Sequence, residues 1–89
     1  MAKVVSSAIT KQHGISRANI MLTCSHTHCG PALDDMLSHM LAMKEQDWVL
    51  VRKNQQQLNA KLIAVVNSAI QDLKPAKLWV GNGKTGFAV

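Results

Sequence analysis

Between Gln46 and Leu73 the apolar residues Trp48, Val51, Leu58, Leu62, Val65, Val66, Ala69, Ile70 and Leu73 form one stripe at helical spacing. Lys and Gln take much of the other face, and Pro75 follows. That period predicts one long helix over about 46–73, ended by a proline that cannot continue it. At a rise of about 1.5 Å per residue the helix would be roughly 40 Å long, about twice an ordinary strand. An 89-residue chain with 47% hydrophobic residues is near the lower size limit of a self-sufficient domain. The helix therefore has one small core at most to join.

The flanking segments carry their own signals. Val4, Val5, Ala8 and Ile9 predict a first helix over about Ala2 to His13, and Gly14 followed by Ile15 predicts a left-handed cap. His13 in the last turn suits the helix dipole, a role preferred here to that of a ligand. After the turn "GISRAN", the run "IMLTCSH" reads as a buried strand over about Ile20 to His26, broken by Cys29-Gly30-Pro31. Residues 33–43 place Leu33, Met36, Leu37, Met40 and Leu41 at steps of three and four, as either a short helix or a methionine-rich loop. Their methionines read as core filling or a groove wall, and His39 as a half-buried surface histidine. Beyond the long helix, "AKLWV" predicts a strand over about Ala76 to Val80, with a Gly-Asn-Gly turn after it.

Helix, strand, long helix, strand is the order of an α/β fold containing a βαβ crossover, with parallel strands and a right-handed connection. Two strands with an overhanging helix leave strand edges and apolar faces uncovered. Residues 1–89 are accordingly expected to form a single partial domain, a piece of a larger body.

The net charge of +5 invites a nucleic-acid reading, but the ten basic residues are scattered and only Arg52 and Lys53 adjoin. Trp48, Trp79 and Phe87 are the only aromatic residues. No stacking platform alternates with the charge, so no nucleic-acid partner is expected. No run of eighteen apolar residues is present and the first residues lack the form of a signal peptide, so neither a transmembrane segment nor an export address is expected. Two cysteines do not make a disulfide framework and leave the redox compartment open.

The chemistry concentrates in "CSHTHCGPAL", Cys24 to Leu33. In an extended segment Cys24, His26 and His28 share one face while Ser25, Thr27 and Cys29 share the other. Two imidazoles at i and i+2 can converge on one ion, and a Gly-Pro turn opens the end of a strand toward a cleft, where α/β sheets gather ligands. Beside this stands the plainer reading of two histidines bonded to backbone near a turn. Zinc needs three protein ligands at a catalytic site and four at a structural one. Locally only His26, His28 and at most Cys24 are on offer. A closed Cys-His structural site would need a second ligand pair at short spacing, and there is none. The His-x-His-x-Asp-His pattern of the metallo-β-lactamases fails because Gly30 and Pro31 occupy its last two positions.

"NIMLTCSHTHCGPAL", followed after the long helix by "LKPAKLWVGNG", resembles the N-terminal part of the neutral/alkaline non-lysosomal ceramidase family. There a strand ending in Ser/Thr-His-Thr-His-Ser/Cys-Gly-Pro precedes a helix and a Leu-x-Pro-Ala-x-Leu segment. The resemblance runs over nearly the whole chain but only a minor part of a family catalytic domain. It implies zinc-dependent hydrolysis of the amide bond of ceramide to sphingosine and fatty acid, with one zinc per complete catalytic domain. It implies further that His26 is a zinc ligand, that His28 is a catalytic hydrogen-bonding or proton-donating group, and that Gly30 and Pro31 shape the turn exposing both.

The implied partners are a ceramide-like lipid amide and the remainder of the catalytic domain, and the implied location is secreted, periplasmic or membrane-surface. The family's other ligands, a second histidine, a glutamate and a tyrosine, come from later segments, and this chain has no tyrosine. On this reading the chain alone is inactive. Cys29 stands where many members carry serine, Cys24 is a variable position, and residues 33–43 fit the family least. The competing reading is a small α/β module that binds a metal or a partner without catalysis.

Overall fold

The computed structural model describes residues 1–34 and 40–87. Helix α1 spans Ala2–His13 and closes on Gly14, whose φ of 68° and ψ of 9° are left-handed and whose N–H donates to the Thr10 carbonyl. Only glycine takes that conformation without a Cβ clash. Gly14→Ala is expected to cost about 1 kcal/mol and to show as faster amide exchange in the last turn of α1. A short 3-10 turn, Arg17–Asn19, follows, with the Ser16 hydroxyl accepting from the Ala18 N–H.

Helix α2 spans Glu45–Gln71. It starts because the Asp47 carboxylate accepts the Lys44 N–H at 2.9 Å, which satisfies one donor at the terminus while Glu45 and Asp47 sit favourably at the positive end of the dipole. It stops where the Asp72 N–H returns to the Ser68 carbonyl, ahead of Pro75.

The two helices pack against each other. Among the described residues Val5, Ile9 and Val51 are the buried apolar ones, and Ser6 is buried too, its hydroxyl donating to the Lys3 carbonyl. His13 extends this contact, its Nε2–H donating to Asn67 Oδ1 across 2.7 Å. It works as a bridge between helices as well as a residue of the last turn.

Twelve residues of α1 give about 18 Å of helix and 27 residues of α2 about 40 Å, so α1 can cover less than half of the long stripe. The rest shows the consequence: Trp48, Leu62, Val66 and Ile70 are half-buried, and Leu58, Val65, Ala69 and Leu73 are exposed. The radius of gyration is 17.7 Å, against about 12 Å for a compact chain of this length. The accessible surface is 8225 Å² for 9.7 kDa, against about 5,100 Å² for a folded monomer of that mass.

The expected α/β fold with its βαβ crossover is not what forms. Among the described residues there are two α-helices and a 3-10 turn, and no strand. Both segments expected to be strands, Ile20–His26 and Ala76–Val80, lie outside any ladder. Leu78, Trp79 and Val80 are 91%, 86% and 88% exposed. Two strands joined through a 40 Å helix must repay a long loop closure with a single ladder, and a two-stranded pair without a packed face is marginal in water. β-Compatible composition is insufficient without a partner strand. The reading of residues 35–39, His39 among them, and of 88–89 falls outside the described residues.

Candidate metal and catalytic site

The segment from Met21 to Pro31 runs over the surface with every residue exposed. Its two ends are fastened to the helical body. At the start, the Arg17 guanidinium donates to the Ile20 carbonyl at 2.6 Å. At the far end, the Asp34 N–H donates to Gln55 Oε1 of α2 at 2.9 Å. The loop is therefore held by one short element before it and by the long helix behind it.

Within the loop, residues two apart meet without a sheet. The Ser25 and Thr27 hydroxyls meet at 2.8 Å, and the His26 and His28 rings meet with Nε2 to Nε2 at 2.6 Å. The ring centroids are 4.6 Å apart and the planes tilted by 46°. The Thr27 N–H donates to the Ser25 carbonyl at 3.0 Å, a tight turn about His26 that accompanies these i to i+2 contacts in place of an extended backbone. At 2.6 Å one Nε2 carries the proton and the other accepts it. Neither ring is plugged into the interior.

Two imidazole nitrogens on one tetrahedral zinc, each at about 2.0–2.1 Å, would stand about 3.3 Å apart. At 2.6 Å the pair shares a proton more closely than it could share an ion. In this contact the lone pair of one Nε2 is taken by the N–H of the other, so a ring would have to turn aside before its Nε2 could hold a metal. Among the described residues, no group of three or more His, Cys, Asp or Glu side chains is placed to hold a metal. The donor chemistry of His26 and His28 suits zinc, and the donor number falls short of the three that a catalytic site requires. Cys24 and Cys29 are free thiols, both exposed.

A turn follows His28. A Cβ added at Gly30 would approach Thr27 no closer than 3.7 Å, an ordinary contact, and Gly30 does not take a positive φ. Space does not require glycine there. Pro31 does more, because it lines two adjoining grooves. One, of about 280 Å³, is lined by Thr27, His28, Gly30, Pro31, Ala32, Leu33 and Leu41. The other, of about 210 Å³, continues from Pro31, Ala32 and Leu33 to Asn54, Leu58 and Lys61 on α2.

No family model matches the chain, and neither a curated protein nor a solved structure does. What the site can do therefore rests on its own residues. His28 lines the same groove as Pro31, Ala32, Leu33 and Leu41, and His26 touches it through His28. Sequence reasoning singled out His26, His28, Gly30 and Pro31, which sit together on one loop. It missed Gln55 and Leu41. Gln55 is one of three consecutive glutamines on a polar stretch, and nothing local distinguishes the one that anchors the loop. Leu41 belonged to a segment whose conformation the spacing left open.

No helix among the described residues is long and apolar enough to cross a membrane.

Proposed function

We propose that the chain is an early part of the catalytic domain of a zinc-dependent amidohydrolase of neutral ceramidase type, acting on a ceramide-like lipid amide and inactive alone because its metal shell is incomplete. The observation that carries the reading is the exposed pairing of His26 and His28, Nε2 to Nε2 at 2.6 Å, with His28 lining a groove beside Pro31, Ala32, Leu33 and Leu41. The octapeptide Ser25 to Ala32 and the later "LKPAKLWVGNG" support it from the sequence. The uncovered stripe of α2 and the exposed Leu78, Trp79 and Val80 suit a segment whose cover comes from further polypeptide.

In this reading His26 holds the metal through a neutral ring nitrogen. The chemistry zinc supplies in such a site is polarisation of a carbonyl and activation of water near neutral pH. His28 donates a hydrogen bond, and then a proton, where negative charge builds on the amide oxygen or the leaving nitrogen. Pro31, Ala32, Leu33 and Leu41 offer an acyl chain an apolar wall and exclude water from one side of the reacting bond.

The test is release of fatty acid from an N-acyl sphingoid base by the complete protein, measured alongside its zinc content. Hydrolysis that tracks zinc occupancy is the expected result. A fully zinc-loaded protein that leaves lipid amides intact would remove the substrate class from the reading. A protein that takes up no zinc would remove the mechanism.

A further inference from the structure

Another concavity, on α1 and the 3-10 turn, is lined by Lys3, Ser6, Ser7, Thr10, Lys11 and Arg17 and measures about 510 Å³. We infer that it binds a phosphate group, carried by a small phosphate ester or by a lipid headgroup. Three cations and three hydroxyls surround it, and the first acidic residue of the sequence is Asp34. Among the described residues the ion pairs are Arg52 with Glu45 and Lys74 with Asp72, so none of these three cations has a carboxylate partner there.

The geometry follows from the helix period. Lys3, Ser7, Thr10 and Lys11 lie at i, i+4, i+7 and i+8 of α1, which puts them on one face with the two lysines about 12 Å apart along the axis. Both side chains are long enough to lean over the hydroxyls between them. Arg17 comes from the following 3-10 turn and gives one donor to the Ile20 carbonyl at 2.6 Å. That contact steadies the guanidinium and leaves its remaining N–H donors for a ligand, in the planar fork that suits phosphate oxygens. Ser6 is buried and its hydroxyl engaged with the Lys3 carbonyl, so the backbone beneath the lysine is fixed while Ser7 and Thr10 stay exposed.

Like charges brought round one hollow repel, and a doubly charged anion relieves that repulsion while accepting several hydrogen bonds. No aromatic side chain lines the hollow. A stacked nucleobase therefore has no platform, and the recognition is of phosphate alone.

The experiment titrates the 89-residue chain with inorganic phosphate at low ionic strength, following backbone amide resonances, with helix content checked by circular dichroism in each variant. Saturable shifts confined to residues around Ser7, Thr10, Lys11 and Arg17 are expected. Lys11→Glu and Arg17→Glu should each weaken binding about tenfold or more. Lys53→Glu, which changes the net charge equally from an exposed site on α2, should change it less than about twofold. Equal losses in all three would reduce the effect to net charge and overturn the site, as would shifts that never saturate.

Vesicles of phosphatidylcholine with and without phosphatidate identify the source. Capture on phosphatidate that inorganic phosphate reverses assigns a lipid headgroup. Phosphate binding without capture assigns a soluble ester. Both of these outcomes uphold the site, and failure of both probes removes it.

Discussion

Alanine in place of His26 in the complete protein is expected to abolish stoichiometric zinc and, with it, amide hydrolysis, whereas His28→Ala is expected to keep the metal and slow turnover by about 2 to 4 orders of magnitude. The difference follows from the proposed roles, which the family resemblance divides into ligand and proton donor and which the symmetric 2.6 Å contact between the two rings does not itself assign. If one ring is the ligand and the other the proton donor, their removal has separable signatures. Loss of the ligand shows in metal analysis before any assay. Loss of the donor shows in turnover at saturating substrate while metal content stays near one equivalent.

A His26→Ala protein that retained stoichiometric zinc would overturn the ligand assignment. Zinc lost to the same degree from His28→Ala would make the two rings joint ligands and leave the proton-donor role without a residue. Cys24→Ser provides the comparison. It alters an exposed thiol on the same loop and should leave both readouts near the unaltered protein.

The parts of this structure that could be read from the residues are those fixed within a few positions of each other. Val5 and Ile9 mark the inner face of α1, and Gly14 ends it at the expected residue. Pro75 lies just beyond α2, whose observed range of Glu45–Gln71 lies close to the stripe expected over 46–73. The pairing of His26 with His28, and of Ser25 with Thr27, is local too, but it forms about a tight Ser25–Thr27 turn and not along the expected strand. It appears although the sheet expected to support it does not.

What could not be read is whatever joins distant positions. Ile20–His26 and Ala76–Val80 have strand-like composition, but a strand exists only through its neighbour, and composition does not say whether the neighbour arrives. The apolar stripe of α2 announces burial without naming its cover, and α1 is too short to provide it over the whole length. The bonds from His13 to Asn67 and from the Asp34 N–H to Gln55 link residues 54 and 21 positions apart, and no spacing rule reaches that far.

The smallness of the contact between α1 and α2 makes it easy to break. Val5 is 0% exposed, Ile9 3% and Val51 8%, and each such side chain contributes about 1.5–3 kcal/mol when fully buried. Val5→Asp removes one of these contributions and adds the cost of an unpaired buried carboxylate, several kcal/mol, a sum comparable with everything the remaining two provide. The hydrogen bond between His13 and Asn67 is worth about 1 kcal/mol net and cannot hold the helices together.

Detachment of α1 is therefore expected, seen as a radius of gyration above the 17.7 Å of the docked form and as loss of amide protection across Ala2–His13. An isolated twelve-residue helix is marginal in water, so helix content should fall by about the share that α1 holds. Val65→Asp, at a position of α2 that is 60% exposed, introduces the same charge where no partner helix is displaced and should shift stability by no more than about 0.5 kcal/mol. Similar losses from both variants would mean that α1 is held by contacts other than its buried valine. If Val5→Asp kept the protection of α1, the three-residue core would not be what joins the helices.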